Sequence, residues 1–235
     1  MKPIWLVVLS LVLCAGCGGA QALESLLQTK NGPLAYLHDS EKVSVKQAGT
    51  VRVGSIVVDE VLPQATSVTE KSGFVLPLLV VNLWKYDYQS QLGQSQLTND
   101  YKAFIRESFV EELKRSGKYN YVEDQSEMEI DLKIKTISMT APMRKTGNVI
   151  FVVYAVAFDQ SYYAGPAEAL ITADAVLKKN GKEIFNQEFT ALGRTGMLQG
   201  QNLNIADFTT AMIEALSLSV KNLNESIVRE INKTP

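Results

Sequence analysis

The chain has 235 residues, 46% of them hydrophobic, with 23 basic against 25 acidic side chains, one histidine and two cysteines. A net charge of −2 offers no basic surface of the kind that meets nucleic-acid phosphates, so that class of partner is set aside. Both cysteines, Cys14 and Cys17, stand near the start, so nothing after them can form a disulfide.

The opening residues have the three-part layout of a secretory signal: basic Met1-Lys2, an apolar run from Ile4 to Leu13 broken only by Ser10, then small Ala15 and Gly16. The run is too short to span a bilayer as a helix, which takes about 20 apolar residues. Cys14-Ala15-Gly16-Cys17, following Leu11-Val12-Leu13, resembles the bacterial lipobox. The resemblance implies that residues 1–16 are removed and that Cys17 is acylated and becomes the first residue. One position departs from the pattern, since Cys14 stands where the family has leucine. Acylation at Cys14 instead would restore Leu11 to that position but would leave bulky Leu13 at the cleavage point, which the family disfavours. Gly18 in place of aspartate after the cysteine implies, by the same resemblance, a lipid anchor in the outer membrane facing the periplasm. Several acyl chains, each contributing about 0.8 kcal/mol per buried methylene, hold such a protein to the bilayer.

From Gly18 to about Gly49 the chain is polar and lacks a sustained period, with Asn31-Gly32-Pro33 as a turn signal. It reads as a lipidated tether over 17–49, with a short helix around Ala22 to Leu27, leading to a single domain over 50–235. Thr50 to Val58, rich in valine and isoleucine, is expected as the first strand. Phe74 to Trp84 is almost continuously apolar, the pattern of a strand buried on both faces. Pro77 inside it marks a bulge or a late start, because proline cannot donate to a sheet ladder. Gln89 to Leu97, a doubled Gln-Ser-Gln-Leu around Gly93, reads as a flexible polar loop. A helix is expected from Asn99 to Ser116, where Tyr101, Phe104, Ile105, Phe109 and Leu113 share a face and Gly117 stands at the C-terminal cap.

Met128, Ile130, Leu132 and Ile134 alternate with charged residues, giving one dry and one wet face. The phase then shifts to Ile137 and Met139, which places a bulge near Thr136. Val149 to Phe158 is apolar on both faces and is expected as a central strand. Asn180-Gly181, between Ala169–Leu177 and Glu183–Ala191, is a hairpin signal. The last element is a helix from Ile205 to Ile231, striped by Phe208, Met212, Leu216, Val220, Leu223, Ile227 and Ile231, with Asn204 and Asp207 placed to cap its start. The order predicts an α+β fold: a mostly antiparallel sheet with two long helices packed on one face.

In element order the chain resembles the lipopolysaccharide-assembly lipoprotein family and the auxiliary lipoproteins of ABC-type transporters. The matching stretch starts at Leu78-Leu79-Val80-Val81-Asn82 and takes in the helix from Tyr101 to Gly117, the strand from Met128 to Ile134, the Asn-Gly hairpin and the closing helix. The resemblance implies a non-catalytic subunit that braces or docks to a larger envelope complex. It supplies no motif by which a functional residue could be carried over.

The residues themselves point away from catalysis. The histidine, His38, falls in the expected tether, and Cys17 is committed to acylation, so a Cys-His pair is not to be had. Gly93 to Leu97 lacks the closing glycine of a nucleophile elbow, and Gly181-Lys182 lacks the first glycine and the hydroxyl of a phosphate loop. Two adjacent carboxylate pairs, Glu111-Glu112 and Asp59-Glu60, leave a glycan-acting enzyme open as a remote alternative; the first pair is expected on an exposed helix face. No metal or cofactor is expected. Trp84, Tyr86 and Tyr88 alternate, so they point to one side, and Tyr162-Tyr163 open a loop before Gly165-Pro166. These five aromatics are the candidate interface, since such residues enrich interface centres, although aromatics finishing the core at its rim would look the same. The reading is a membrane-anchored accessory, scaffold or docking subunit of an envelope assembly, with a lipid- or small-ligand-binding module as the rival.

Overall fold

The alternating strand that begins at Met128 runs unbroken to Val152, 25 residues in all. At about 3.3 Å per residue it is roughly 80 Å long, and the rest of the fold is hung on it. The computed structural model describes residues 19–37, 41–44, 46, 49–59, 62–78, 80–152, 155–200 and 205–234. The lipobox cysteines Cys14 and Cys17, His38, Glu60 and the expected cap Asn204 lie outside the described residues.

In chain order the elements are α1 (Gly19–Gln28), β1 (Thr50–Val58), β2 (Ser67–Pro77), β3 (Val81–Gln91), α2 (Tyr101–Ser116), β4 (Asn120–Tyr121), β5 (Met128–Val152), β6 (Ala155–Ala164), β7 (Glu168–Lys179), β8 (Lys182–Arg194), β9 (Leu198–Gly200) and α3 (Ile205–Lys233). The α+β class and the mainly antiparallel sheet are as expected, but the sheet is larger, with nine strands among the described residues. It also has parallel pairs, β1 lying parallel to both β4 and β5.

The sheet has two halves that share β5. From Met128 to Ile134, β5 lies between β1 and β7, and β7 alone continues beside it to Thr140, with β8 beyond β7. From Ala141 onward it lies between β3 and β6, with β2 beyond β3. The first half is the body. Ile130, Leu132 and Ile134 are wholly buried on its inner face, while the outer face is laced by ion pairs such as Lys178–Asp131 at 2.6 Å and Lys135–Asp174 at 2.7 Å. The register slips between Ile134 and Thr136, where the shift in hydrophobic phase placed a bulge.

Helices α2 and α3 cover the inner face, and every residue of the expected α3 stripe is buried. Asp100 caps α2 by accepting from the Lys102 N–H at 2.9 Å, and the Gly117 N–H closes its far end on the Leu113 carbonyl at 3.1 Å. Asn180 and Gly181 both take positive φ, 49° and 78°, which is the backbone a two-residue hairpin turn demands. Gly181→Ala meets no neighbour, so its cost is backbone strain alone. About 1 kcal/mol of lost stability is expected in urea titration, with an unchanged m-value.

Four expectations need correction. The stretch expected as a tether contributes to the core: α1 buries Leu23 and Leu27, and Leu34 is buried behind it. Its polar appearance comes from a helix showing only one narrow apolar face. The stretch from Phe74 to Trp84 is not one buried strand but the end of β2, a turn and the start of β3, closed by the Leu78 N–H on the Val81 carbonyl at 2.7 Å and its reciprocal bond at 3.2 Å. In the same way Val149 to Phe158 straddles the end of β5 and the start of β6 rather than forming a central strand. None of the described residues in either run is buried: most are exposed, and Val81, Trp84, Val149 and Phe151 are half-buried. The expected polar loop begins only after β3 ends at Gln91, and it is tied down: Gln96 is buried and accepts from the Thr66 N–H at 3.2 Å, while the Gly32 N–H donates to its carbonyl at 2.9 Å.

Candidate interaction surface

The hairpins β2–β3 and β5–β6 join along β3 and β5 into a four-stranded antiparallel arm, ordered β2-β3-β5-β6. Its strands carry valine, isoleucine, threonine and aromatic residues, which fit a pleated surface. Directly opposed residues share a face, so the registers sort the side chains row by row. On one face lie the rows Tyr88–Met143–Ala164, Tyr86–Lys145–Tyr162, Trp84–Gly147–Gln160 and Asn82–Val149–Phe158. On the other lie Asp87–Arg144–Tyr163, Lys85–Thr146–Ser161 and Leu83–Asn148–Asp159.

Burial falls steadily along the arm. Tyr88, Met143 and Ala164 at its base are core residues, whereas Phe74, Val80, Val152, Val156 and Phe158 near the tip are each more than half exposed. Apolar side chains are thus bare on both faces of the tip, while nearer the base one face is aromatic and the other mainly polar, a face on which Phe74 and Tyr163 are exposed.

The sequence placed Trp84, Tyr86 and Tyr88 on one side, and the structure does so, with Tyr86 stacked on Tyr88 at 6.1 Å between centroids. Tyr162 joins that face across Lys145, and Tyr163 points to the opposite one. Tyr88 is withdrawn as an interface residue. It is 2% exposed and sealed by α1, where a methyl group on Gly19 would lie 2.3 Å from its hydroxyl. Burial, with Glu70 adding to it, pushes the Tyr88 phenol up to about 12, and its oxygen has no hydrogen-bond partner among the described residues. Trp84 lies across Gly147, where a methyl group would come within 2.4 Å of the indole, and meets the Phe158 ring at 5.6 Å. Sequence reasoning missed Phe158 and the exposed tips. The signal was Pro77, which fits the end of a strand better than its middle.

The charges keep to definite places. On the polar face the Arg144 guanidinium donates to Asp87 at 2.6 Å, and this bond holds the Asp87 carboxyl below the usual carboxylate range. On the aromatic face Lys145 sits between Tyr86 and Tyr162, and burial lowers the pKa of its ammonium group.

Elsewhere the chemistry is sparse. Glu111 is exposed and pairs with Lys114 at 3.4 Å, but its neighbour Glu112 is fully buried and accepts from the Tyr36 hydroxyl at 3.0 Å. The expected exposed pair is therefore split between solvent and core, because successive helical residues point about 100° apart. Among the described residues no group of three or more His, Cys, Asp or Glu side chains is arranged to hold a metal ion, and no helix is long and apolar enough to cross a membrane. A half-open groove of about 540 Å³ lies between residues 32–37 and α3, lined by Leu37, Ile213 and Leu218 together with Glu214 and Lys221.

No family model matches the chain, and no curated protein matches it. Two solved structures are similar over 85% of its length at 10% identity. Protein XCC0632 from Xanthomonas campestris, of the DUF330 family, is matched over 90% of its own chain with a TM-score of 0.42. A Helicobacter pylori protein, described as a homolog of a neuraminyllactose-binding hemagglutinin, is matched over 91% with a TM-score of 0.39. At those scores the likeness carries no argument about function.

Proposed function

We propose that the chain is a lipid-anchored subunit of a cell-envelope assembly that acts through its four-stranded arm rather than through chemistry of its own. The observation that carries this reading is the bare apolar surface of the arm: Phe74, Leu76, Leu78, Val80, Val152, Val156 and Phe158 are exposed together at one end of the fold. Contiguous apolar surface of this kind marks an interaction site. A lipid anchor at Cys17 would keep that surface beside a membrane.

Two measurements test it. Cys17→Ala should abolish membrane retention and incorporation of labelled fatty acid; labelling that survives in Cys17→Ala but not in Cys14→Ala would move the anchor. Replacing Leu76, Leu78 and Val80 by serine should leave the melting temperature nearly unchanged, because exposed positions away from special features alter stability by no more than about 0.5 kcal/mol each. The same variant should lose the high-molecular-weight species recovered after mild detergent extraction and cross-linking. Recovery of that species at the parent level would remove the arm from the reading.

A second reading, a lipid- or small-ligand-binding module, has the groove beside α3 behind it. Binding of a fluorescent fatty acid that Leu218→Lys eliminates would favour it.

A further inference from the structure

We infer that the arm is one segment of a transmembrane β-barrel built from several copies of this chain. The inference rests on the assembly reading above and names what assembles and where.

The two faces of the arm differ in the way a barrel wall requires. Between base and tip, one face is mainly apolar, carrying Val75, Trp84, Tyr86, Val149, Phe158 and Tyr162 with Asn82, Lys145 and Gln160 among them, while the other is mainly polar, carrying Ser72, Lys85, Asp87, Arg144, Thr146 and Asp159 with Phe74 and Leu83 among them. Transmembrane barrels alternate in this way, apolar toward lipid and polar toward the lumen, with aromatic girdles where the wall meets water. Tyr86 and Tyr162 stand in one row near the base, in the place of such a girdle. Lys145 lies between them, where a long cationic side chain can reach interfacial water.

The strands also have the required length. β2 and β3 have 11 residues each and β6 has 10, against about 9–11 for a strand that crosses a bilayer at a tilt. At the tip both faces are apolar, which suits the end that enters hydrocarbon first.

The arm cannot enter lipid alone. Among the described residues β2 pairs only with β3, and β6 pairs with β9 only over Tyr162–Ala164, so the outer edges of β2 and β6 carry no strand along the arm. Open edges leave backbone N–H and C=O groups without partners, and these are not tolerated in hydrocarbon. The matching surface is on the molecule itself. β2 and β6 are antiparallel, because the strands alternate in direction across the arm. The β6 edge of one copy can therefore pair antiparallel with the β2 edge of the next. Such a head-to-tail contact generates a ring, and each copy adds four strands, giving the even strand count of bacterial barrels.

The test uses the full-length lipidated protein, purified in detergent and reconstituted into phosphatidylethanolamine–phosphatidylglycerol vesicles loaded with a self-quenched dye, and into planar bilayers of the same lipids. Dye release and stepwise conductance are expected. Phe158→Arg and Val75→Arg, both at exposed positions, should keep the parent melting temperature yet lower dye release by roughly tenfold or more, since an arginine on the lipid face opposes insertion. Asp159→Lys, on the polar face, should still form channels but shift their selectivity toward anions. A stable oligomer that neither releases dye nor conducts would overturn the barrel while leaving the assembly reading intact. A monomer whose behaviour ignores every arm variant would overturn both. Release that Asp159→Lys abolishes as completely as Phe158→Arg would overturn the assignment of the two faces.

Discussion

A chain that begins at Gly49 is expected to lose cooperative folding. The residues removed include Leu27, which is fully buried, and Leu23 and Leu34, each 5% exposed. Truncating one buried leucine typically costs about 2–5 kcal/mol, and a whole domain is stable by only about 5–15 kcal/mol. Polar ties go with them: the Leu34 N–H donates to Asn99 at 2.9 Å, and Glu24 accepts from the Val68 N–H at 3.2 Å. Removing α1 also uncovers Tyr88 at the root of the arm. Differential scanning calorimetry should show no sharp transition, or one lowered by tens of degrees at about 2–4 °C per kcal/mol. A melting temperature within about 5 °C of the parent would mean that α1 rests on the body without supporting it.

The second large effect is expected at Gly193, where β8 and α3 touch backbone to backbone. A methyl group there would lie 2.0 Å from the Ala215 carbonyl oxygen and 2.4 Å from the Ser219 nitrogen, so no side-chain rotation relieves it. The helix is pinned over the strand by Ser219, whose hydroxyl donates to the Ala191 carbonyl at 2.9 Å, and by Asn222, which donates to the Leu192 carbonyl at 2.8 Å. Overpacking a core usually costs about 1–3 kcal/mol, and a clash against pinned backbone belongs at or above the top of that range. Gly193→Val should therefore lower the melting temperature by about 6–12 °C or more, whereas Gly196→Val, with nothing within 4 Å, should move it by less than about 2 °C. Equal shifts would show that the loss does not come from the backbone contact at Gly193.

Much of the body was legible from periodicity and turn chemistry. β1 has the predicted limits, the slip at Ile134/Thr136 answers the phase change to Ile137 and Met139, and Asn180-Gly181 turns the chain where two alternating runs meet. Each of these signals is local and is read by one partner only, the buried inner face. The arm was not legible for a related reason. A continuous apolar run implies burial on both faces only if the surroundings are protein. Here Phe74–Trp84 and Val149–Phe158 each fold back on themselves, and their apolar residues face outward in the isolated chain. The aromatic alternation was correct in direction but not in depth. Tyr88 and Trp84 are four residues apart on the same face, yet one is core and the other is half-buried, because α1 reaches only the first. Nothing in a one-dimensional pattern says where a covering helix stops.

The continuity of β5 fixes how the molecule responds to force. Thr140 pairs with Glu168 in the body, and the next residue, Ala141, already pairs with Ser90 in the arm, so the ladder passes from one half to the other without an unpaired residue. There is no loop on β5 at that junction, but its partners change there, from β7 to β3 and β6, so β5 is the strand that body and arm share. The angle between arm and body therefore rests on that one strand and on the packing at the root of the arm, where Tyr88, Met143 and Ala164 are buried, and a force on the tip is carried into the body through β5.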